Sequence, residues 1–310
     1  MSFISYAQNF EDIMLWRALK HINNGFYIDV GANDPTHFSV TRAFYDRGWH
    51  GINLEPVAEF YERLVVQRHR DINLQIGVSD VVGNFPFFDI PGTGLATLDS
   101  AVAQKHADAG WQVNTIEVPL LPLSNICEAH VNSEIHFLKI DVEGAEKKVL
   151  VGIDLTKWRP WIIIVEATAP LTQHTAHQSW EYLLKDNAYE FVYFDGLNRF
   201  YIANEQKDLK AAFALPPNDF DDFILWATQE AKNRAEEAEI RANKFKQLSQ
   251  EAAERLILVQ KELEVRLTET VIQREAIASQ LKSVLESTSW RVTLPLRLVA
   301  RKIKAIFKNI

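Results

Sequence analysis

Cysteine is almost absent: Cys127 is the only one in 310 residues. That excludes an intrachain disulfide and a cysteine-cluster metal site, and it suits a reducing compartment. Long apolar runs are absent too. No stretch reaches the roughly 18 apolar residues that a membrane-spanning helix needs. Met1 to Asn9 has neither the basic nor the apolar region of a secretion signal, so the chain is expected in the cytoplasm. Positive charge is scarce outside one segment. Residues 290–310 hold six basic side chains (Arg291, Arg297, Arg301, Lys302, Lys304 and Lys308) and no acidic one, so the formal charge of −8 leaves 27 basic against 41 acidic residues elsewhere. A body this acidic excludes a general nucleic-acid binder, whose phosphate contacts need a broad basic surface.

A further absence bears on the ligand. Phe26-Tyr27-Ile28-Asp29-Val30 and Gly51-Ile52-Asn53-Leu54 read as two apolar strands, with Gly31 after the first and Glu55 at the tip of the second. This is a nucleotide-type site: Asp29 and Gly31 lie at the turn into a helix, and Glu55 lies where a carboxylate can accept both ribose hydroxyls. A dinucleotide fold would continue as G-x-G-x-x-G, because its later glycines let the backbone approach a pyrophosphate. Here Asn33 and Thr36 occupy those two positions, and Asp34 adds a charge that repels a pyrophosphate. An adenosine ligand without phosphate fits better. S-adenosylmethionine is such a ligand, with an ammonium for acidic groups near Asp29 and a ribose for Glu55. Asn33 joins this cofactor set, as do Ser79 and Asp80, where Asp80 can accept from the adenine amino group. The alternatives are helix capping for Asp29 and Glu55 and a surface turn for Asp80.

Apolar content of 47% is ample for a core. A helix is expected after Asn9, its N-cap, ending near Asn23-Asn24-Gly25. Strands follow at 26–30, 51–54, 72–78, 135–140, 161–166, 190–194 and 200–203, with helices near 39–47, 58–67, 146–151 and 178–187. This alternation predicts an α/β fold, a mostly parallel seven-stranded sheet with helices on both faces. The last two strands, joined through Asp195-Gly196-Leu197-Asn198, form a hairpin that adds an antiparallel edge strand. Residues 84–126 read as an insertion with its own short strands and a turn at Pro91-Gly92-Thr93-Gly94. Pro216-Pro217-Asn218 reads as the end of the domain, which is bounded at 1–226.

From Thr228 to Ser287 there is neither glycine nor proline, so residues 227–288 read as one long helix. Phe245, Leu248, Ala252, Leu256, Val259, Leu263, Leu267, Ile277, Leu281 and Leu285 recur mostly every three or four residues, a coiled-coil seam interrupted at Thr270 and Gln273. Homo-oligomerisation is the functional reading and a solvated single helix the alternative. In the tail, 289–310, a short helix after Pro295 places Leu296, Val299, Ile303, Ile306 and Ile310 on one face and Arg297, Arg301, Lys304 and Lys308 on another. That is the pattern of a helix lying in an anionic membrane interface, or of one docked on an acidic protein surface.

Several motifs are shared with one family. Ser5-Tyr6-Ala7-Gln8-Asn9-Phe10-Glu11-Asp12, Tyr27-Ile28-Asp29-Val30-Gly31-Ala32-Asn33, Gly48-Trp49-His50-Gly51-Ile52-Asn53-Leu54-Glu55-Pro56, Gly77-Val78-Ser79-Asp80 and Leu138-Lys139-Ile140-Asp141-Val142-Glu143-Gly144-Ala145-Glu146 resemble those of the FkbM-type S-adenosylmethionine-dependent methyltransferases, over residues 2–204. Pro35 departs from the pattern, since members usually carry glycine there. The resemblance implies a Rossmann-like class I methyltransferase fold and methylation of oxygen on sugars and macrolide-like products. The segment from Ser287 to Arg297 is similar to the ends of bacterial polysaccharide glycosyltransferases and methyltransferases. It implies a glycan or glycolipid acceptor and glycosyltransferase partners at the inner face of the membrane.

Methyl transfer to a hydroxyl needs alignment and the removal of one proton. Candidate bases belong near the carboxyl edge of the sheet. Asp141 and Glu143, just past the fourth strand, satisfy that placement, with helix capping as the alternative. His37 is a further candidate, because imidazole titrates near neutral pH. His136, in a strand, is expected to make a core hydrogen bond. Gln8, Glu11 and Asp12 could close over the cofactor or acceptor, and Trp111 could stack on a sugar ring. Asp141, Glu143 and Glu166 could converge as oxygen ligands, but spacing gives no coordination geometry and no required metal is expected. The rival readings are a non-catalytic scaffold of the same fold and, weakened by the missing glycines, an NAD-dependent oxidoreductase.

Overall fold

The computed structural model describes residues 2–169, 172 and 174–307, and side chains through residue 304. It divides into two compact units, Met1–Ala231 and Lys232–Ile310. In the first unit the elements are β1 (Phe3–Ser5), α1 (Glu11–Leu19), β2 (Phe26–Val30), α2 (Arg42–Tyr45), β3 (His50–Leu54), α3 (Ala58–Gln67), β4 (Ile72–Leu74), β5 (Gly77–Val78), β6 (Gly83–Asp89), α4 (Ser100–Asp108), β7 (Asn114–Leu121), α5 (Leu123–His130), β8 (Phe137–Ile140), α6 (Glu146–Val151), β9 (Ile162–Glu166), α7 (Glu181–Lys185), β10 (Tyr189–Phe194), β11 (Asn198–Ala203) and β12 (Phe223–Leu225).

Seven strands form the main sheet in the order β10-β11-β9-β8-β2-β3-β4. Neighbours from β9 to β4 are parallel, and β11 runs antiparallel to both β9 and β10. The antiparallel strand is therefore one place in from the edge. Its Phe200, Tyr201 and Ile202 are buried, so it needs cover that an edge position would not supply, and the hairpin folds β10 outside it. Asp195 closes that hairpin by accepting from the Leu197 and Asn198 amides.

Alternation along the strands sends side chains to opposite faces. Phe26, Ile28, Val30, Leu138 and Ile140 pack with α5, α6 and α7, whereas Tyr27 and Phe137 pack with α1 and α2. The same alternation puts four polar residues in register on the α1/α2 side: Lys139 opposite Asp29, Asp29 opposite Asn53, and Asn53 opposite Asn73. Buried Arg68 ties this row down. It donates to Asp71 at 3.0 Å, to the Tyr27 hydroxyl at 2.9 Å and to the Thr41 hydroxyl at 2.7 Å, and Thr41 in turn donates to Asp29 at 3.0 Å.

Four local expectations change. Residues 72–78 are two strands: β4 pairs with β3, while β5 leaves the main sheet to pair with β7 in a second sheet of order β5-β7-β6. The insertion carries a helix, α4, capped by Asp99, whose carboxylate accepts from the Ala101 and Val102 amides. Asn9 does not cap α1. Phe10 takes that position in a left-handed conformation, and the Asn9 side-chain Nδ2 donates to the Asp195 carbonyl instead. Past Pro216-Pro217-Asn218 the chain returns as β12, which pairs in parallel with β1.

One helix, α8 (Trp226–Glu286), leads into the second unit, which also holds α9 (Thr288–Val292) and α10 (Leu294–Phe307). No residue of α8 is buried, so the apolar seam from Phe245 to Leu285 is solvent-exposed. Ser287 caps α9, and Arg297 lies over the Trp290 ring at 3.4 Å. Leu296, Val299 and Ile303 of α10 are exposed. The Ile306 side chain, Lys308 and Ile310 lie outside the described residues. No described helix is long and apolar enough to cross a membrane.

Candidate active site

A cavity of about 890 Å³ opens past the carboxyl ends of β2, β3, β8 and β9, where parallel α/β sheets bind ligands. Gly31 makes the first turn. Its φ is +78°, and a Cβ there would lie 1.9 Å from the Asp141 carbonyl oxygen, so only glycine allows the β2 and β8 exits to approach this closely. Asn33, where a dinucleotide fold has glycine, adopts φ +51°, a region that asparagine tolerates better than most residues.

Glu55 follows directly after β3 with its side chain buried. Its Oε2 accepts from the Asn33 amide and its Oε1 from the Val57 amide, each at 2.8 Å. Burial raises its pKa to about 7, with the two amides and Lys139 pulling the other way and Asp29 adding to the rise. Each oxygen keeps a lone pair for a further donor. Val57, Phe60, Ile76, Val78, Phe87 and Leu98 give the cavity an apolar wall. Part of that wall comes from the insertion, whose Gly94 approaches the Asn33 side chain and whose Thr97 hydroxyl donates to the Glu143 carbonyl at 2.9 Å.

On the side of β8 and β9 the cavity is charged. Lys139 Nζ lies 3.4 Å from Asp29 and 3.3 Å from Asp141, and it donates to the Gly31 carbonyl. Burial alone would lower its pKa, but the two carboxylates reverse the sign and hold it raised. Glu143 sits in a tight turn at φ +49°. Burial, then Asp141 and Glu146, raises its pKa. Glu166, at the end of β9, is raised by burial and then by Asp141, Glu143 and Glu146. Asp141 does not cap α6, which begins at Glu146 with Ala145 before it.

The N-terminal motif wraps the mouth. Asp12 accepts from the Ser5 hydroxyl and from the Tyr6 and Ala7 amides, which fixes the turn, while Glu11 accepts from the Asn9 amide and from Asn198. Gln8 and Glu11 thereby line the cavity, and burial raises Glu11 to about 8.

Of the residues singled out in the sequence, Gln8, Glu11, Gly31, Asn33, His37, Glu55, Asp141 and Glu143 line this one cavity. Asp29 lies beneath it, holding Lys139. Asp12 is enclosed in the N-terminal turn. Ser79 and Asp80 bond to each other outside it, and their neighbours Gly77 and Val78 line it instead. Trp111 is exposed after α4 and does not line it. His136 accepts from the Phe26 amide, a core hydrogen bond. Lys139 was not among the expected site residues. The clue to it is a charge inside Phe137-Leu138-Lys139-Ile140, since a parallel strand covered on both faces is otherwise apolar throughout.

No curated protein matches the chain. A family model described as the methyltransferase FkbM domain matches residues 29–191, from Asp29 beneath the cavity to β10, and takes in Glu55, Lys139, Asp141, Glu143 and Glu166. With more than half of its length inside that match, the chain belongs to the FkbM methyltransferase family and is a methyltransferase.

Proposed function

We propose that this methyltransferase uses S-adenosylmethionine to methylate a sugar hydroxyl of a surface polysaccharide, glycolipid or precursor. Glu55 carries the cofactor reading. It is a buried carboxylate at a strand tip whose two oxygens each hold one backbone amide and have a lone pair left for one of two neighbouring ribose hydroxyls. The fit extends to the rest of the cavity, because its apolar wall suits an adenine, and among the described residues its cations Arg63 and Lys139 are already paired with carboxylates and do not offer themselves to a pyrophosphate. Bound there, the cofactor would supply a methyl group on a positively charged sulfur that leaves as a neutral thioether.

The remaining work falls to the chain's own residues. Gln8 and Glu11 close the mouth around the acceptor. Asp141 and Glu143 stand as the groups to take the hydroxyl proton as its oxygen bonds to the methyl carbon and the carbon–sulfur bond breaks. Glu143, raised by burial and by its acidic neighbours, is a stronger base than a free carboxylate. Lys139 holds Asp141 in place from below. The exposed seam of α8 supports self-association, and the basic, apolar tail supports contact with an anionic membrane face and with glycosyltransferases working there.

Calorimetry tests the cofactor. S-adenosylmethionine should bind and NAD should not, and Glu55→Ala should weaken binding by about 1.5–3 kcal/mol, the worth of a charge-assisted hydrogen bond. Binding of NAD alone would sink the proposal. A mass increment of one methyl group on a defined glycan tests the acceptor.

A further inference from the structure

Past the ends of β8 and β9, Asp141, Glu143 and Glu166 each bring one oxygen to within 4.8 Å of the other two. Acidic side chains this close need a reason. Glu166 sharpens the point: it is only 7% exposed, and its Oε2 is buried without a hydrogen-bond donor, although buried polar atoms are nearly always partnered. The nearby cation does not resolve this. Lys139 is shared between Asp29 and Asp141, and among the described residues neither Glu143 nor Glu166 forms an ion pair. The donor set is all carboxylate oxygen, which suits a hard cation such as Mg²⁺, Mn²⁺ or Ca²⁺ and not the softer metals that seek nitrogen or sulfur. All three carboxylates also face the cavity.

We infer that Asp141, Glu143 and Glu166 bind one divalent cation in this cavity, and that the acceptor is a molecule presenting two neighbouring oxygens to it. This rests on the reading of the cavity as the site of methyl transfer. Three protein oxygens leave about three of six positions on an octahedral ion for water and acceptor. A 1,2-diol, as on a sugar ring, fills two of them and fixes which hydroxyl is presented. A lone hydroxyl fills one and is left free to turn. The cation also supplies the counter-charge that Glu166 lacks, and because each ligand offers it one oxygen, Asp141 and Glu143 keep their second oxygen for the acceptor's proton. The ligands are held ready: the Thr97 hydroxyl pins the Glu143 turn, and the Asp141 backbone is packed against Gly31.

The probe is MnCl₂ added to the chelator-treated full-length chain, with free Mn²⁺ followed by electron paramagnetic resonance. One Mn²⁺ per chain should bind and be displaced by excess MgCl₂. Glu166→Gln and Glu143→Gln should each weaken it by more than about a hundredfold, beyond the roughly 10- to 100-fold loss expected for an outer-shell group. The second variant lies on a turn and serves if the first fails to fold. Absence of saturable binding, or binding unmoved by the substitutions, overturns the inference. S-adenosylmethionine calorimetry in the chelated protein separates the two readings. Cofactor binding with no Mn²⁺ site defeats the cation alone, whereas a Mn²⁺ site in a chain that binds no S-adenosylmethionine defeats the methyl-transfer reading on which it rests.

Discussion

Glu55, the residue proposed to hold the cofactor's ribose, keeps its place at a cost to the fold. Its pKa rises from an ordinary 4.5 to about 7, chiefly because burial disfavours its charge. The sign follows from linkage. Below about pH 4.5 the residue is protonated whether folded or not, and it subtracts nothing. Between 4.5 and 7 the unfolded chain releases the proton that the folded chain retains, so stability falls as pH rises. For Glu55 alone the loss approaches about 3 kcal/mol across that window. Glu11, raised by burial to about 8, extends the decline upward. Denaturant midpoints of the ligand-free chain should therefore fall between pH 5 and 8, and Glu55→Gln should flatten the slope. S-adenosylmethionine should flatten it too, because ribose hydroxyls donating to Glu55 favour its charged form. A midpoint that does not move with pH would show that Glu55 is not held in this state.

At the scale of elements, the polar row across β8, β2, β3 and β4 couples the site to the interior of the sheet. Arg68 anchors it through Asp71, Tyr27 and Thr41, and Thr41 and Lys139 between them hold Asp29. Arg68→Met keeps most of the volume but leaves Asp71 buried without its cation, so it should destabilise the fold by about 3–5 kcal/mol in urea unfolding. A loss under 1 kcal/mol would mean that the row is held by its amides and hydroxyls alone. Little of this was legible in advance. Strands β2 and β3 could be read because apolar runs end in acids, and the hairpin because Asp195-Gly196 marks its turn. Residues 72–78 misled because Ile72, Leu74, Ile76 and Val78 keep one alternation through the point where the chain changes partner. The α4 helix was missed although Asp99 is an ordinary cap. Asp12 and Asp29 could be placed near the cavity by position, but the face each presents depends on register and on Lys139 and Ser5, which are distant or unremarked in the sequence.

On the scale of the whole molecule, the second unit exposes more apolar surface than a solitary helix has reason to carry. Leu256, Val259, Leu263 and Leu267 form a continuous exposed stretch of the α8 seam, and burial against a second copy is the favourable outcome for such a row. The tail is weaker taken alone. Leu296, Val299 and Ile303 offer three anchors, and Arg297 is engaged with Trp290, leaving Arg291, Arg301, Lys302 and Lys304 among the described cations for an anionic surface. Each basic residue near such a surface contributes about 1 kcal/mol, which makes one tail a reversible ligand. If α8 joins copies as proposed, two or more tails would bind together, the second attachment being intramolecular. Full-length chain should therefore float with vesicles containing phosphatidylserine, and a chain ending at Ser289 should not. Replacing Leu263 and Leu267 with lysine in the full-length chain leaves the tail intact, so it should reduce the mass seen by light scattering and, with it, vesicle binding by roughly tenfold or more. If the double variant becomes monomeric and still floats as well as the native chain, membrane contact does not depend on assembly. If the chain ending at Ser289 floats equally, the tail is not the anchor.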